Sequence, residues 1–243
     1  MTIWTIFKRE LASFINSTVA YLFIFIFLVI SGVCTFLLGS FYERGQADLM
    51  SFFNFHPWLY LLLVPALSMR TWSEERNSGS IELVMTMPVT TLQVMIGKFV
   101  ALWFILAICL LLTFPLVTSV NYLGEPDNGI IMAAYLGSWL MAGAFLAVGM
   151  CMSAITKSQV IAFILALVTC FVLVSMGSPL ITNIFQSWVP SIVLDNIASF
   201  SFLTHYENIA KGVLSLNNIL YYLASICFWL FAGYRIIEIK KAD

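Results

Sequence analysis

The chain has 243 residues, 61% of them hydrophobic and 9% charged, and its 11 basic and 12 acidic residues leave a net charge of −1. That balance offers no basic patch for nucleic acid, and no nucleic-acid partner is expected, whereas apolar runs of roughly 20 residues match α-helices crossing a ~30 Å hydrocarbon layer and predict an all-α integral membrane protein. Cys34, Cys109, Cys151, Cys170 and Cys227 all lie inside apolar runs without a CxxC pair, which reads as small buried hydrophobes and excludes a disulfide framework or a cysteine metal site.

The first segment, TIWTIFKRELASFIN, places Ile3, Phe7, Leu11 and Phe14 at spacings of four, four and three, with Trp4 and Ile15 beside them. Lys8, Arg9, Glu10 and Ser13 fill the other face, so residues 1–18 are expected to form an amphipathic elbow helix lying in the membrane interface. The alternative is a first span with a ragged, extended start.

Six transmembrane helices are expected, over residues 19–41, 51–69, 94–120, 130–155, 160–176 and 220–237. In that plan Lys8, Arg9, Arg70, Arg76, Lys98, Lys157, Arg235, Lys240 and Lys241 fall on one side, and only Arg44 and Lys211 on the other. The positive-inside rule makes the richer side cytoplasmic, both termini included. A mixed segment precedes the first span, which runs too long for a signal-peptide core, so no cleavable signal is expected. No internal repeat is evident, which gives an inverted-repeat carrier no support.

Between the second and third spans, residues 70–93 carry an island of charge in which Glu74, Glu75, Arg76 and Glu82 sit within nine residues. Holding four charges at mid-membrane costs ~2.5–3.5 kcal/mol each, roughly 10–14 kcal/mol together, so the island must be wet or bound to protein. Gly79 suits the left-handed end of a helix that extends below the membrane, and Ser80 can cap a new helix with Glu82 in its first turn. Pro88 stops that helix after about two turns, and Thr90 with Gln93 forms a capping-box pattern that starts the third span. The short helix, over 81–87, is either a lever onto a partner or a well-capped connector. Ile81, Leu83, Val84, Met85 and Met87 crowd it with apolar side chains that have no core of their own, which favours the lever.

The outer segment 178–218 contains Leu180, Ile184, Phe185, Trp188 and Ile192, too apolar for water, interrupted by Pro179, Pro190 and Asp195. It reads as a re-entrant piece before the last helix, lining or capping a path, or alternatively as an interfacial helix that seals the outer surface. His56 and His205 are the two histidines; without a Cys or carboxylate at ligand spacing they read as hydrogen-bonding groups, and no metal is expected. Glu207 and Lys211, four apart, suit a weak surface pair; Pro65 and Pro115 suit kinks; Gly143 and Ala147 form a small-xxx-small face.

Three stretches carry a family resemblance. EERNSGSIELVMTMPVTTLQVMIGKF, residues 74–99, resembles the cytoplasmic loop of ABC-2 type transporter permeases, in which an acidic pair, a Gly followed by Ser or Thr, a Glu-Leu and a Pro-Val recur in this order. FKRELASFINSTVAYLF, residues 7–23, resembles the family's N-terminal elbow, and SFLTHYENIAKGVLSLNNILYYL, residues 201–223, the entry to its last span. Within the family the chain is most similar to gliding-motility permeases and to the permease of nitrous oxide reductase maturation.

The resemblance implies one transmembrane domain over residues 1–243, placed in the inner membrane. It implies pairing with a second permease, a copy or a paralogue, and docking of a cytoplasmic nucleotide-binding ATPase through a coupling helix. Carried over residue by residue, Glu74, Glu75, Gly79, Ser80, Ile81, Glu82, Leu83 and Pro88 match the docking pattern, while Asn77 and Met85 occupy its variable places. ATP and Mg then belong to the ATPase partner and no cofactor to this chain: there is no GxxxxGK[ST] loop, and Gly97-Lys98 lacks the upstream glycine and the following Ser or Thr. The chain is thus not expected to be an enzyme by itself. Membrane lipid surrounds it, an extracytoplasmic partner protein is compatible with it, and spans rich in Phe, Leu and Met suit a bulky amphipathic cargo. The rival classes are an ATP-independent channel or secondary carrier, which would place a polar ring or carboxylate at mid-membrane, and an intramembrane enzyme, which would need a nucleophile and a base.

Overall fold

Ser17 accepts a hydrogen bond from the Ala20 N–H at 3.3 Å and starts a helix two residues after the preceding one ends. The amphipathic segment is therefore a helix in its own right, α1 (Ile3–Ile15), followed by α2 (Thr18–Val33) and a π-helical turn at Cys34–Leu38. The computed structural model describes residues 3–79, 89–178 and 198–241, and every regular element among them is helical. The remaining helices are α3 (Met50–Asn54), α4 (His56–Ser68), α5 (Arg70–Asn77), α6 (Thr91–Leu111), α7 (Phe114–Leu123), α8 (Asn128–Ile155), α9 (Gln159–Ser175), α10 (Phe202–Ala210) and α11 (Leu216–Lys241).

Among the described residues four stretches are long and apolar enough to cross a membrane: Thr18–Leu38, Thr91–Leu123, Asn128–Ile155 and Leu216–Lys240. Gln159–Ser175 is apolar but shorter, at 17 residues or ~25 Å. The second expected span is divided. Phe55 ends α3 and begins α4, whose first turn holds Pro57, a residue with no N–H to lose there and a torsion already suited to that position. The third expected span bends at Leu112 and Thr113, immediately before Pro115 in the first turn of α7. The Thr113 hydroxyl donates to the Leu110 carbonyl at 2.6 Å and lies 2.9 Å from the Tyr135 hydroxyl, which satisfies polar groups at the bend.

Helix α8 is the axis of the bundle: 72% of its most apolar window is buried, against 17–39% for the other three long stretches. Small residues let its neighbours approach. A Cβ added at Gly143 would meet Trp103 Nε1 at 2.7 Å, and one at Gly137 would meet Ile209 Cγ2 at 2.6 Å. At the Gly143 contact the Trp103 and Trp139 rings stack with centroids 4.1 Å apart. Each indole N–H donates to the other residue's carbonyl, at 3.0 and 3.3 Å. The close helix contact expected at Gly143 and Ala147 is thus present, with Ala147 fully buried.

Helix α1 does not rest on its apolar face alone. Its buried residues are Ile6 and Phe7, and Ile6 seats against Gly97 of α6, where an added Cβ would meet Ile6 Cγ2 at 2.7 Å. Of the expected outer segment, residues 179–197 lie outside the described residues. Its described part is anchored: the Tyr206 hydroxyl donates to the Phe53 carbonyl at 2.8 Å, and the Tyr222 hydroxyl to the Phe202 carbonyl at 2.7 Å.

Candidate functional site: the loop between α5 and α6 and its mount

Helix α5 leads from the membrane-crossing part of the chain toward the charged loop, and α8 holds it in place. Ser153 sits at the α4–α5 junction, where its hydroxyl donates to the Met69 carbonyl at 2.8 Å and accepts from the Trp72 and Ser73 N–H groups, each at 3.1 Å. One side chain thus satisfies backbone groups on both sides of the break in the helix. One turn earlier Gly149 leaves no room for a side chain: a Cβ there would overlap the hydroxyl of Ser68.

The end of α8 is gripped by cations. Arg76 donates to the Ala154 carbonyl at 2.8 Å, and Lys240 of α11 donates to the Ile155 carbonyl. These are the unsatisfied carbonyls of a helix C-terminus, where positive charge is stabilising.

Helix α5 is tied to α6 by Glu75 and Lys98, which form an ion pair with side chains 19% and 5% exposed. The Lys98 ammonium also donates to the Thr71 carbonyl at 2.9 Å and lies 4.8 Å from the Trp72 ring centroid. Beyond α5, Gly79 has φ +71, the left-handed conformation expected of it just past the Ser78 cap. On the other leg Thr90 accepts from the Gln93 N–H at 3.3 Å and the Gln93 side chain accepts from the Thr90 N–H at 3.2 Å, which is the expected capping box.

Of the residues that match the docking pattern, Glu74, Glu75 and Gly79 are described, while Ser80, Ile81, Glu82, Leu83 and Pro88 lie outside the described residues. Glu74 is exposed, whereas Glu75 turns inward to Lys98. Sequence reasoning missed Lys98, Ser153 and Arg76 as parts of the mount. The signal for Lys98 was present, since a lone cation at the head of an apolar span needs an anion or carbonyl oxygens nearby.

The two histidines serve packing and hydrogen bonding. His56 is fully buried, with Nδ1 2.8 Å from the Ser138 hydroxyl, which is in turn 2.7 Å from the Tyr60 hydroxyl. His205 Nε2 donates to the Ser199 carbonyl at 2.8 Å, its Nδ1 is 2.8 Å from Asn218 Oδ1, and its ring stacks on Tyr221. Among the described residues no group of three or more His, Cys, Asp or Glu side chains is placed to hold a metal, and Glu207 and Lys211 form no ion pair there.

A family profile described as ABC-2 family transporter protein matches residues 58–237, from within α4 to within α11, and so includes the charged loop and both of its legs. The chain belongs to the ABC-2 transporter family. As an ABC-2 permease it is the multi-pass membrane component of an ABC transporter, partnered by nucleotide-binding subunits in which ATP hydrolysis resides. No curated protein sequence matches it.

Proposed function

We propose that this permease is half of an ATP-driven exporter, or of a device that transmits ATP-driven motion across the membrane. A second permease, copy or paralogue, completes the pathway, and each half docks an ATPase that holds ATP and Mg. Contact with the ATPase is assigned to Gly79, Ser80, Ile81, Glu82, Leu83 and Pro88, with Glu74 and Glu75 on the leg that carries them. The observation that supports this reading is the mount: α5 is fastened to α8 through Ser153 and Arg76 and to α6 through Glu75 and Lys98. A loop held this way passes a push on to the spans as rigid-body motion rather than absorbing it.

The same reading has α3 with α4, and α9, completing six spans, α1 as an elbow at the cytoplasmic face of the inner membrane, and the segment before α11 re-entering the outer leaflet. Both termini are cytoplasmic, and the relationship to gliding-motility and nitrous-oxide-reductase-maturation permeases leaves room for an extracytoplasmic partner. The test is co-expression with a candidate ATPase, followed by pull-down and ATPase assay in lipid. The permease alone is expected to hydrolyse no ATP and the complex to do so; purified permease with intrinsic ATPase activity, or failure of every genomically adjacent ATPase to bind, overturns the reading. Labelling of a cysteine placed at residue 243 from the cytoplasmic side alone checks the orientation.

A further inference from the structure

Helices α1, α2, α4, α5 and α6 enclose a cavity of about 670 Å³, a size in the range of ~300–1,000 Å³ that accommodates a small organic ligand. Its two ends differ in chemistry. Helix α4 leads from Leu63 through Leu67 into α5, and α2 leads away from α1 from Val19 to Ile26, so the apolar wall is Leu22, Phe23, Ile26 and Leu63, with Phe23 and Leu63 buried and Leu22 exposed at its edge. The rim carries Glu10, Arg70 and Glu74.

Those rim charges are of both signs. Arg70 and Glu74 are exposed and stand four apart, yet among the described residues neither side chain makes an ion pair or hydrogen bond, while Glu10 pairs with Arg9 at 2.7 Å. An amphiphile that already stands in the leaflet with its head at this depth satisfies both ends at once.

We propose that the cavity holds one phospholipid whose headgroup joins a phosphate to a primary ammonium. Arg70 takes the phosphate through the guanidinium fork. Glu74, with Glu10 nearby, takes the ammonium, and one acyl chain lies along Leu22, Phe23, Ile26 and Leu63. A primary ammonium donates hydrogen bonds to a carboxylate and a quaternary one cannot, so ethanolamine lipids are selected over choline lipids. An anionic glycerol headgroup leaves Glu74 and Glu10 without a counter-charge, so it binds more weakly as well. This site shares Glu74 with the leg of the docking loop but does not rest on the ATPase reading, because lipid binding is measured without the ATPase.

The full chain, purified in mild detergent, is titrated with dioleoyl phosphatidylethanolamine, phosphatidylcholine and phosphatidylglycerol and followed by native mass spectrometry. One phosphatidylethanolamine per chain is expected, bound about tenfold tighter than the other two lipids. Arg70→Gln is expected to weaken all phospholipids about tenfold. Glu74→Gln removes the preference for ethanolamine over choline, and Ala66→Phe, which fills the cavity wall, expels the lipid. Thermal unfolding identifies any variant that misfolds, and Arg70→Gln, at an exposed position, keeps the test open if Ala66→Phe does. Equal binding of the three lipids, undiminished binding in Arg70→Gln, or efficient disulfide formation between two copies of Leu22→Cys in the membrane overturns the proposal.

Discussion

Glu75 and Lys98 join the two legs of the charged loop through an ion pair between residues 23 positions apart, seated where only 19% and 5% of the side chains meet solvent. Lys98→Met leaves the Glu75 carboxylate without that partner, and Glu75→Gln leaves the ammonium with Thr71 and the Trp72 ring. The lysine change is expected to cost more, on the order of 2–3 kcal/mol; a fully buried pair loses ~3–5, and the residual hydration of Glu75 reduces this. Lys98→Met combined with Glu75→Leu is expected to recover most of the loss, because removing both charges leaves no uncompensated one. Thermal unfolding of the three variants in detergent checks the order; a double variant less stable than Lys98→Met alone refutes it.

Ser153→Ala deletes a hydroxyl that serves three backbone groups at once, leaving the Trp72 and Ser73 N–H groups without this acceptor in a buried place. A loss of about 1–3 kcal/mol is expected. Hydrogen exchange is expected to rise locally at the α4–α5 junction. Protection there equal to wild type would show that another acceptor replaces the hydroxyl.

Gly149→Val drives a branched side chain into the space of the Ser68 hydroxyl, at a contact between two buried helices. Backbone separation is the only relief, so this variant is expected to fall in yield and in unfolding temperature further than Ala147→Val does. Size-exclusion profiles and unfolding curves of the pair decide it.

Gly79→Val forces a β-branched residue into φ +71, and Glu82→Lys places positive charge at the first turn of the expected short helix. Both are expected to weaken ATPase pull-down and uncouple hydrolysis while membrane insertion and unfolding temperature stay near wild type. Gly79→Asn, which tolerates the left-handed region better, is expected to be milder. Normal docking by Gly79→Val and Glu82→Lys would reduce the loop to a connector.

Features that depend on a few adjacent residues were legible in the sequence: the apolar runs, the separate first helix, the Thr90 and Gln93 box, and the left-handed Gly79. Each rests on a cap, a period or a torsion that tertiary packing had no reason to override. The inward turn of Glu75 was not legible, because in sequence it is one of an acidic pair and only the fold brings Lys98 beside it. Ser153 read as one more small residue in an apolar run, since its role is defined by a break in a helix some 80 positions away. The bend before Pro115 was legible from that proline, whereas the turn at Phe55 escaped an apolarity count, which registers hydrophobic content and not backbone torsions.

The notches and small faces of α8 set an order of assembly. This helix is the most buried of the four long stretches, and its most extensive interface is with α11, the last of the described helices in chain order. Until α11 arrives, Gly143 has Trp103 of α6 beside it but lacks Ile226, Cys151 lacks Gly233, and the carbonyl of Ile155 lacks Lys240. Insertion therefore proceeds helix by helix, but the final packing of the core waits for α11.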